Sequence, residues 1–314
     1  MAAALLRDVD ERTQLAGTNK LEVLAFTLGK DSRTGRTETF GINVFKVREV
    51  MRTPDITRAP DMPRSVVGMV SLRGELVPVV DVVQYAGIPT EGSGEVMIVT
   101  EYNGQTQGFL VAAVENILRL EWTAMKVPPQ MLTEHMGNLV TAVSELKDGR
   151  LVMMIDVERI LAETSGFSDE IAFKEIQPIS RTDRTVLYAD DSSVARKQID
   201  RTLEAMHVRG HGTINGRLAW LELQRIADTA TLSGKPVRDY VQVVLTDVEM
   251  PEMDGYMLTK MVKGDSRFAG IPVVMHSSLS GNSNQSLGRS VGVDEYVTKF
   301  QPGRLAETLA RLLA

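Results

Sequence analysis

Cysteine is absent from all 314 residues, which excludes disulfide staples, thiolate nucleophiles and cysteine-held zinc or iron–sulfur centres. No stretch holds the ~18 uninterrupted apolar residues that a membrane-spanning helix needs, so no direct membrane insertion is expected. The opening Met1-Ala2-Ala3-Ala4-Leu5-Leu6 is too short an apolar segment for a secretory leader and has no basic residues ahead of it. Positive charge is not in excess. Lys and Arg number 35 against 41 Asp and Glu, and the net charge of -6 argues against a chain built mainly to hold nucleic acid. Together these absences predict a cytoplasmic protein.

The chain has the length of about two domains of roughly 150 residues each. Hydrophobic residues at 43% and charged residues at 24% are ordinary for globular proteins. Residues 1–19 read as a short helix, with Leu5, Leu6 and Val9 at helical spacing and stop signals in Ala16-Gly17-Thr18-Asn19. Residues 20–161 read as strands. Glu22–Leu28 and Thr39–Val44 form a hairpin with a long tip, and Phe40–Val50 passes from strand to helical turn. Further hairpins are predicted around Arg73-Gly74-Glu75, Asn103-Gly104 and Asp148-Gly149, with Pro78 placed on an edge or at a bulge. Short strands at such spacing predict a barrel or sandwich. Residues 162–184 read as linker plus connecting helix, and residues 185–314 alternate strands with helices. That alternation predicts a parallel sheet covered on both faces.

In an open parallel sheet, ligand chemistry collects beyond the carboxyl ends of the strands. Asp190 and Asp191 follow the strand Val186–Ala189, and Asp247 follows Val241–Leu245. Ser277 and Lys299 close two later strands. Clustered carboxylates repel one another unless a cation sits among them, and an all-oxygen donor set suits Mg²⁺. A carboxylate beside such an ion can attack phosphorus, while a lysine and a hydroxyl stabilise the transferring group. Any one of these residues alone reads as a helix cap, a turn hydroxyl or a solvated charge. The order and placement of all five carry the inference.

Thr185–Ser192, Leu245-Thr246-Asp247-Val248-Glu249-Met250-Pro251-Glu252-Met253-Asp254-Gly255, Pro272–Ser278 and Gly292–Lys299 resemble the two-component response-regulator receiver domain. The D-x-x-M-P-x-M-D-G segment is the most specific part of that resemblance. It implies a flavodoxin-like (βα)5 fold with Asp247 as the phosphorylated residue. It also implies Mg²⁺ held by Asp190, Asp191, Asp247 and the backbone carbonyl of Glu249. Lys299 would contact the phosphoryl group, Ser277 would be the switch hydroxyl and Tyr296 the aromatic that changes rotamer with it. Residue by residue, Tyr296 reads equally as a half-buried strand aromatic. The chain departs from the receiver pattern at Phe300, where receivers usually carry proline, and in the polar stretch Asp228–Asp239, expected to extend a loop. Ser233-Gly234-Lys235 lacks the earlier glycine of a phosphate-binding loop.

No residues of the first half have catalytic spacing, and the isolated His135 is assigned no role. Phe40–Val50 and Val66–Val82, with its L-R-G-x-x-x-P-V-x-D run, resemble the CheW-like chemotaxis coupling domain. That resemblance implies two small SH3-like five-stranded barrels, with Arg73 at a partner-binding surface; on its own, Arg73 reads as a charged hairpin residue. The segment Leu6–Glu22 and the order of domains, coupling first and receiver last, are similar to the CheV-type family of chemotaxis coupling proteins. The resemblance implies a cytoplasmic scaffold at chemoreceptor arrays, whose partners are the CheA-type histidine kinase and methyl-accepting chemoreceptors. It implies no enzyme beyond the receiver's own phosphotransfer and autodephosphorylation. With Ala314 directly after the last helix, no DNA-reading element is expected. Two other readings stand: a receiver that is only a phosphate sink, and a Mg²⁺-dependent phosphohydrolase with Glu249 as its second acid.

Overall fold

The structure is a computed structural model that describes residues 20–58, 60, 62–91, 94–102, 105–129, 139–164, 173–181, 183–278, 288–299 and 301–314. The expected helix over 1–19, the Asn103-Gly104 turn, His135 and Phe300 lie outside the described residues. Two compact units emerge, Lys20–Gly166 and Phe167–Ala314.

The first unit comprises β1 (Lys20–Thr27), β2 (Lys30–Asp31), β3 (Thr39–Asn43), β4 (Val47–Arg52), β5 (Val66–Leu72), β6 (Glu75–Asp81), α1 (Val82–Ala86) and β7 (Thr90–Glu91). It continues with β8 (Val96–Tyr102), β9 (Gln105–Val111), β10 (Ala113–Glu121), β11 (Val140–Glu145), β12 (Leu151–Ile155) and α2 (Val157–Thr164). Two five-stranded sheets run in the orders β10-β1-β3-β12-β11 and β4-β8-β9-β6-β5, and β2 pairs with β7. Each sheet covers an apolar interior of its own, one around Val23, Ala142 and Val152, the other around Val77, Met97 and Val99. A third cluster, including Phe26, Ile42, Val80 and Phe109, is shared by both sheets. Strand alternation makes this possible, because successive side chains feed opposite faces.

The β1–β3 hairpin forms as expected, with Val23 opposite Asn43 and Thr27 opposite Thr39. The L-R-G-x-x-x-P-V-x-D run has local structural reasons. Arg73 and Gly74 both take positive φ, 51° and 87°, which makes the tight two-residue turn between β5 and β6. The carboxylate of Asp81 accepts the N–H groups of Val83 and Gln84 and so caps α1. Pro78 is neither on an edge strand nor at the bulge. It sits opposite Met69 in β6, one residue before pairing with β9 begins at Val79, so its missing N–H removes nothing from that ladder.

The second unit comprises β13 (Thr185–Ala189), α3 (Ser193–Ala205), β14 (Arg209–Thr213), α4 (Gly216–Ser233), β15 (Val243–Thr246), α5 (Gly255–Gly264), β16 (Val273–Ser277), β17 (Glu295–Thr298) and α6 (Pro302–Leu313). Its sheet is parallel throughout, in the order β14-β13-β15-β16-β17. Val186, Tyr188, Val243 and Leu245 pack with α3 and α6, while Leu187, Ala189 and Val244 pack with α4 and α5. Phe173 and Ile176, upstream of β13, are buried in the same core as α3, and the guanidinium of Arg201 lies 4.1 Å from the Phe173 ring.

The sequence reading had no strand at Arg209–Thr213. Its residues are exposed or half-buried and include two glycines, so no apolar alternation marks it. Tyr188 on β13 lies across Gly210 and Gly212, where any Cβ would crowd its ring. The expected loop over Asp228–Asp239 is also corrected. α4 continues to Ser233 and closes on Gly234 at φ 63°, with Ala227 and Ala230 facing the core. Small alanines carried the buried face there, and the surrounding polar residues hid it.

Candidate functional site

The reversal of strand order in the second unit lies between β13, whose next strand in sequence is on one side, and β15 on the other. In open parallel sheets, loops diverge at such a reversal, and ligands bind there beyond the edge formed by the carboxyl ends of the strands. β13 delivers Asp190 and Asp191 to this edge, and β15 delivers Asp247. Carboxylate oxygens of all three come within 4.8 Å of one another. Lys299, just beyond β17, is fully buried. Its Nζ donates to Asp247 Oδ2 at 2.8 Å and pairs with Asp190 Oδ2 at 2.9 Å.

Local geometry holds each acid in place. Asp190 Oδ1 accepts the N–H of Ser192 at 2.9 Å, and Ser192 in turn caps α3. Asp247 Oδ1 accepts the N–H of Val248 at 2.6 Å. Asp254 caps α5 through the N–H of Met257, which brings Gly255 so close to the Asp247 carbonyl that a Cβ there would collide with it. Burial pushes the Asp254 carboxyl above the usual range, against the opposing effect of hydrogen bonds from Met257 and Tyr256. Glu249 is half-buried two residues after Asp247, and its charge acts on the phenols of Tyr256 and Tyr296.

Ser277 ends β16, and a hydrogen bond links its hydroxyl to that of Tyr296 on β17. Tyr296 is half-buried. Burial pushes its phenol up, and the nearby Asp247 carboxylate acts in the same direction. The structure therefore brings Asp190, Asp191, Asp247, Lys299, Ser277 and Tyr296 to one end of the sheet, with Glu249 beside them.

Arg73 belongs to the other unit and is no part of this cluster. Its side chain is 72% exposed at the β5–β6 tip and pairs with Glu49 at 3.0 Å. Leu76, beside it, is also well exposed. Two contacts at the acidic edge went unread in the sequence. Nη1 of Arg196 on α3 donates to the carbonyls of Asp190 and Asp191, and Arg217 pairs with Glu252, which sits at φ 66° in the loop after β15. Neither arginine is marked by charge patterning, since both lie on helices with ordinary polar faces.

The donor set fits a divalent cation. Lys299 supplies one positive charge against three clustered carboxylates, two of them buried, and the excess negative charge is costly in such surroundings without a further cation. Oxygen donors from carboxylates match Mg²⁺ better than a nitrogen- or sulfur-seeking metal.

Comparison with known proteins assigns both units. Residues 22–165 match the CheW-like domain family and residues 186–310 the response regulator receiver domain family. The chain is 25% identical to Chemotaxis protein CheV1 of Helicobacter pylori over 98% of each chain. It is 35% identical to Chemotaxis protein CheY1 of the same species, covering 41% of this chain and 95% of that one. Among solved structures, the scaffolding protein TtCheW from Thermoanaerobacter tengcongensis is 26% identical, with 44% of this chain and 84% of that chain covered and a TM-score of 0.38.

Proposed function

The chain belongs to the CheV-type chemotaxis proteins, a CheW-like domain followed by a receiver domain, and from that premise we propose an adaptor whose coupling to a histidine kinase is regulated by phosphorylation of Asp247. The observation that carries this reading is the buried contact of Lys299 with both Asp190 and Asp247 inside a three-carboxylate cluster. Asp190, Asp191, Asp247 and the carbonyl of Glu249 would hold Mg²⁺, which when bound supplies charge neutralisation for a phosphoryl group.

An Asp247 carboxylate oxygen forms the new bond to phosphorus as the phosphorus–nitrogen bond of a kinase phosphohistidine breaks. Lys299, already paired with Asp247, stays beside the phosphoryl oxygens, and the Ser277 hydroxyl donates to one of them. Its partner Tyr296 then follows into a new rotamer, which biases the receiver between two states. The receiver acts only on its own Asp247, and water later hydrolyses the acyl phosphate. In the coupling unit, the exposed Arg73 tip meets the CheA-type kinase or methyl-accepting chemoreceptors, which places the protein at cytoplasmic receptor arrays.

The test is incubation with phosphorylated chemotaxis kinase and Mg²⁺, comparing the intact protein with Asp247→Asn. Label should enter the wild type and be lost from the variant; equal labelling of both overturns the assignment. Kinase or receptor affinity measured before and after phosphorylation decides between a signal and a sink. An unchanged affinity marks a phosphate sink.

A further inference from the structure

The loop that carries Asp190 and Asp191 is short and must hold two adjacent carboxylates in one fixed arrangement. Its backbone is gripped from α3. Nη1 of Arg196 donates to the carbonyl of Asp190 at 2.8 Å and to that of Asp191 at 2.9 Å. Two consecutive carbonyls converging on one nitrogen orient their dipoles alike, an arrangement that is unfavourable without a cation facing them. The position is set by the helix itself. Ser192 caps α3 by accepting the N–H of Ala195, and the N–H of Arg196 donates to the Ser192 carbonyl at 3.0 Å, so Arg196 lies one turn in and reaches back over the loop. The guanidinium is half-buried, and its charge also acts on the phenol of Tyr188, which is hydrogen-bonded to Asp200 on the same helix.

Resting on the metal-centre reading above, we propose that Arg196 is a positioning residue for Mg²⁺: it fixes the carbonyls of Asp190 and Asp191 so that their carboxylates are preorganised for the cation. It touches neither the phosphoryl group nor the reacting atoms. The sign of its effect separates this role from simple electrostatics. A positive charge close to a cation site repels the cation, so if only charge mattered, removing Arg196 would tighten Mg²⁺ binding. If the clamp matters more, removing it weakens binding, as loss of a residue that orients metal ligands does elsewhere by about 10- to 100-fold.

The experiment is calorimetric titration of the full-length protein with Mg²⁺ and no phosphoryl donor, on the wild type and Arg196→Met, with the urea midpoint of each metal-free protein measured in parallel. Arg196→Met is expected to bind Mg²⁺ about tenfold or more weakly while still unfolding cooperatively. Equal or tighter binding by Arg196→Met, with the wild type binding normally, overturns the clamp and leaves the metal centre standing. No binding by the wild type overturns the metal centre itself, and the clamp with it. Should Arg196→Met fail to fold, Arg196→Gln is titrated instead. It too should bind more weakly, and an affinity equal to the wild type overturns the proposal.

Discussion

The two units differ in how deeply their most buried ion pairs sit, although each also carries surface pairs such as Arg73–Glu49 and Arg217–Glu252. In the coupling unit, Arg73–Glu49, Arg48–Glu75 and Arg150–Asp148 are surface pairs, and in Lys46–Glu158 and Arg119–Glu22 only the acid is buried. In the receiver, Lys299 is fully buried between Asp190 and Asp247. Topology accounts for the contrast. Antiparallel hairpins end in turns that project outward, so charges at their tips meet water. Parallel strands all end on one edge, so residues from four separate strands, far apart in the chain, meet there and exclude water from one another.

The sharpest way to break this comparison is Lys299→Met. Removing one member of a buried charge cluster leaves carboxylates uncompensated, with an expected loss of about 3–5 kcal/mol in metal-free protein. Urea unfolding of the receiver transition measures it, and Mg²⁺ should restore part of the loss. A change below about 1 kcal/mol would place the cluster with the surface pairs.

A smaller effect is expected at Asp254. Its carboxyl is raised in the folded state, so over the range above the ordinary carboxylate value the folded protein binds more protons than the unfolded chain. Stability of the receiver therefore falls as pH rises through that range and is regained on acidification. Asp254→Asn keeps an acceptor for the Met257 N–H and should flatten that decline in thermal melts recorded across pH. A decline of unchanged slope would assign it to other groups.

The smallest effect belongs to the exposed pair. Arg73→Ala should change stability by no more than about 1 kcal/mol, because water already screens its contact with Glu49. Its consequence should appear in binding to kinase or receptor, measured by titration of the full-length protein. Unchanged binding would remove Arg73 from the partner surface.

The acids, hydroxyl and lysine of the site were legible because each directly follows a short apolar strand, and strand ends are where a parallel sheet gathers its chemistry. The hairpin at Arg73-Gly74 was legible for a similar reason, since a two-residue turn demands residues able to take positive φ. β14 was not, because an edge strand of glycines and polar residues carries no periodic signal, and its pairing partner Tyr188 lies more than twenty residues away. β10 was equally silent. Its AVENILRLE pattern is partly exposed along its length, and pairing with β1 rather than burial defines it. Arg196 looked like any arginine on a polar helix face until the fold brought it over the Asp190–Asp191 backbone.

The sequence alone determined the two-domain order, the switch from hairpins to strand–helix alternation, and which residue types stand at the strand ends. These follow from local periodicity and turn chemistry, which need no distant partner. Only the tertiary structure decided that Lys299 is buried against Asp190 and Asp247, that Tyr296 reaches the Ser277 hydroxyl, and that Arg196 grips the acidic loop. Those contacts join residues on separate strands and helices, and such distances are set by packing around a shared core, which spacing along the chain does not encode.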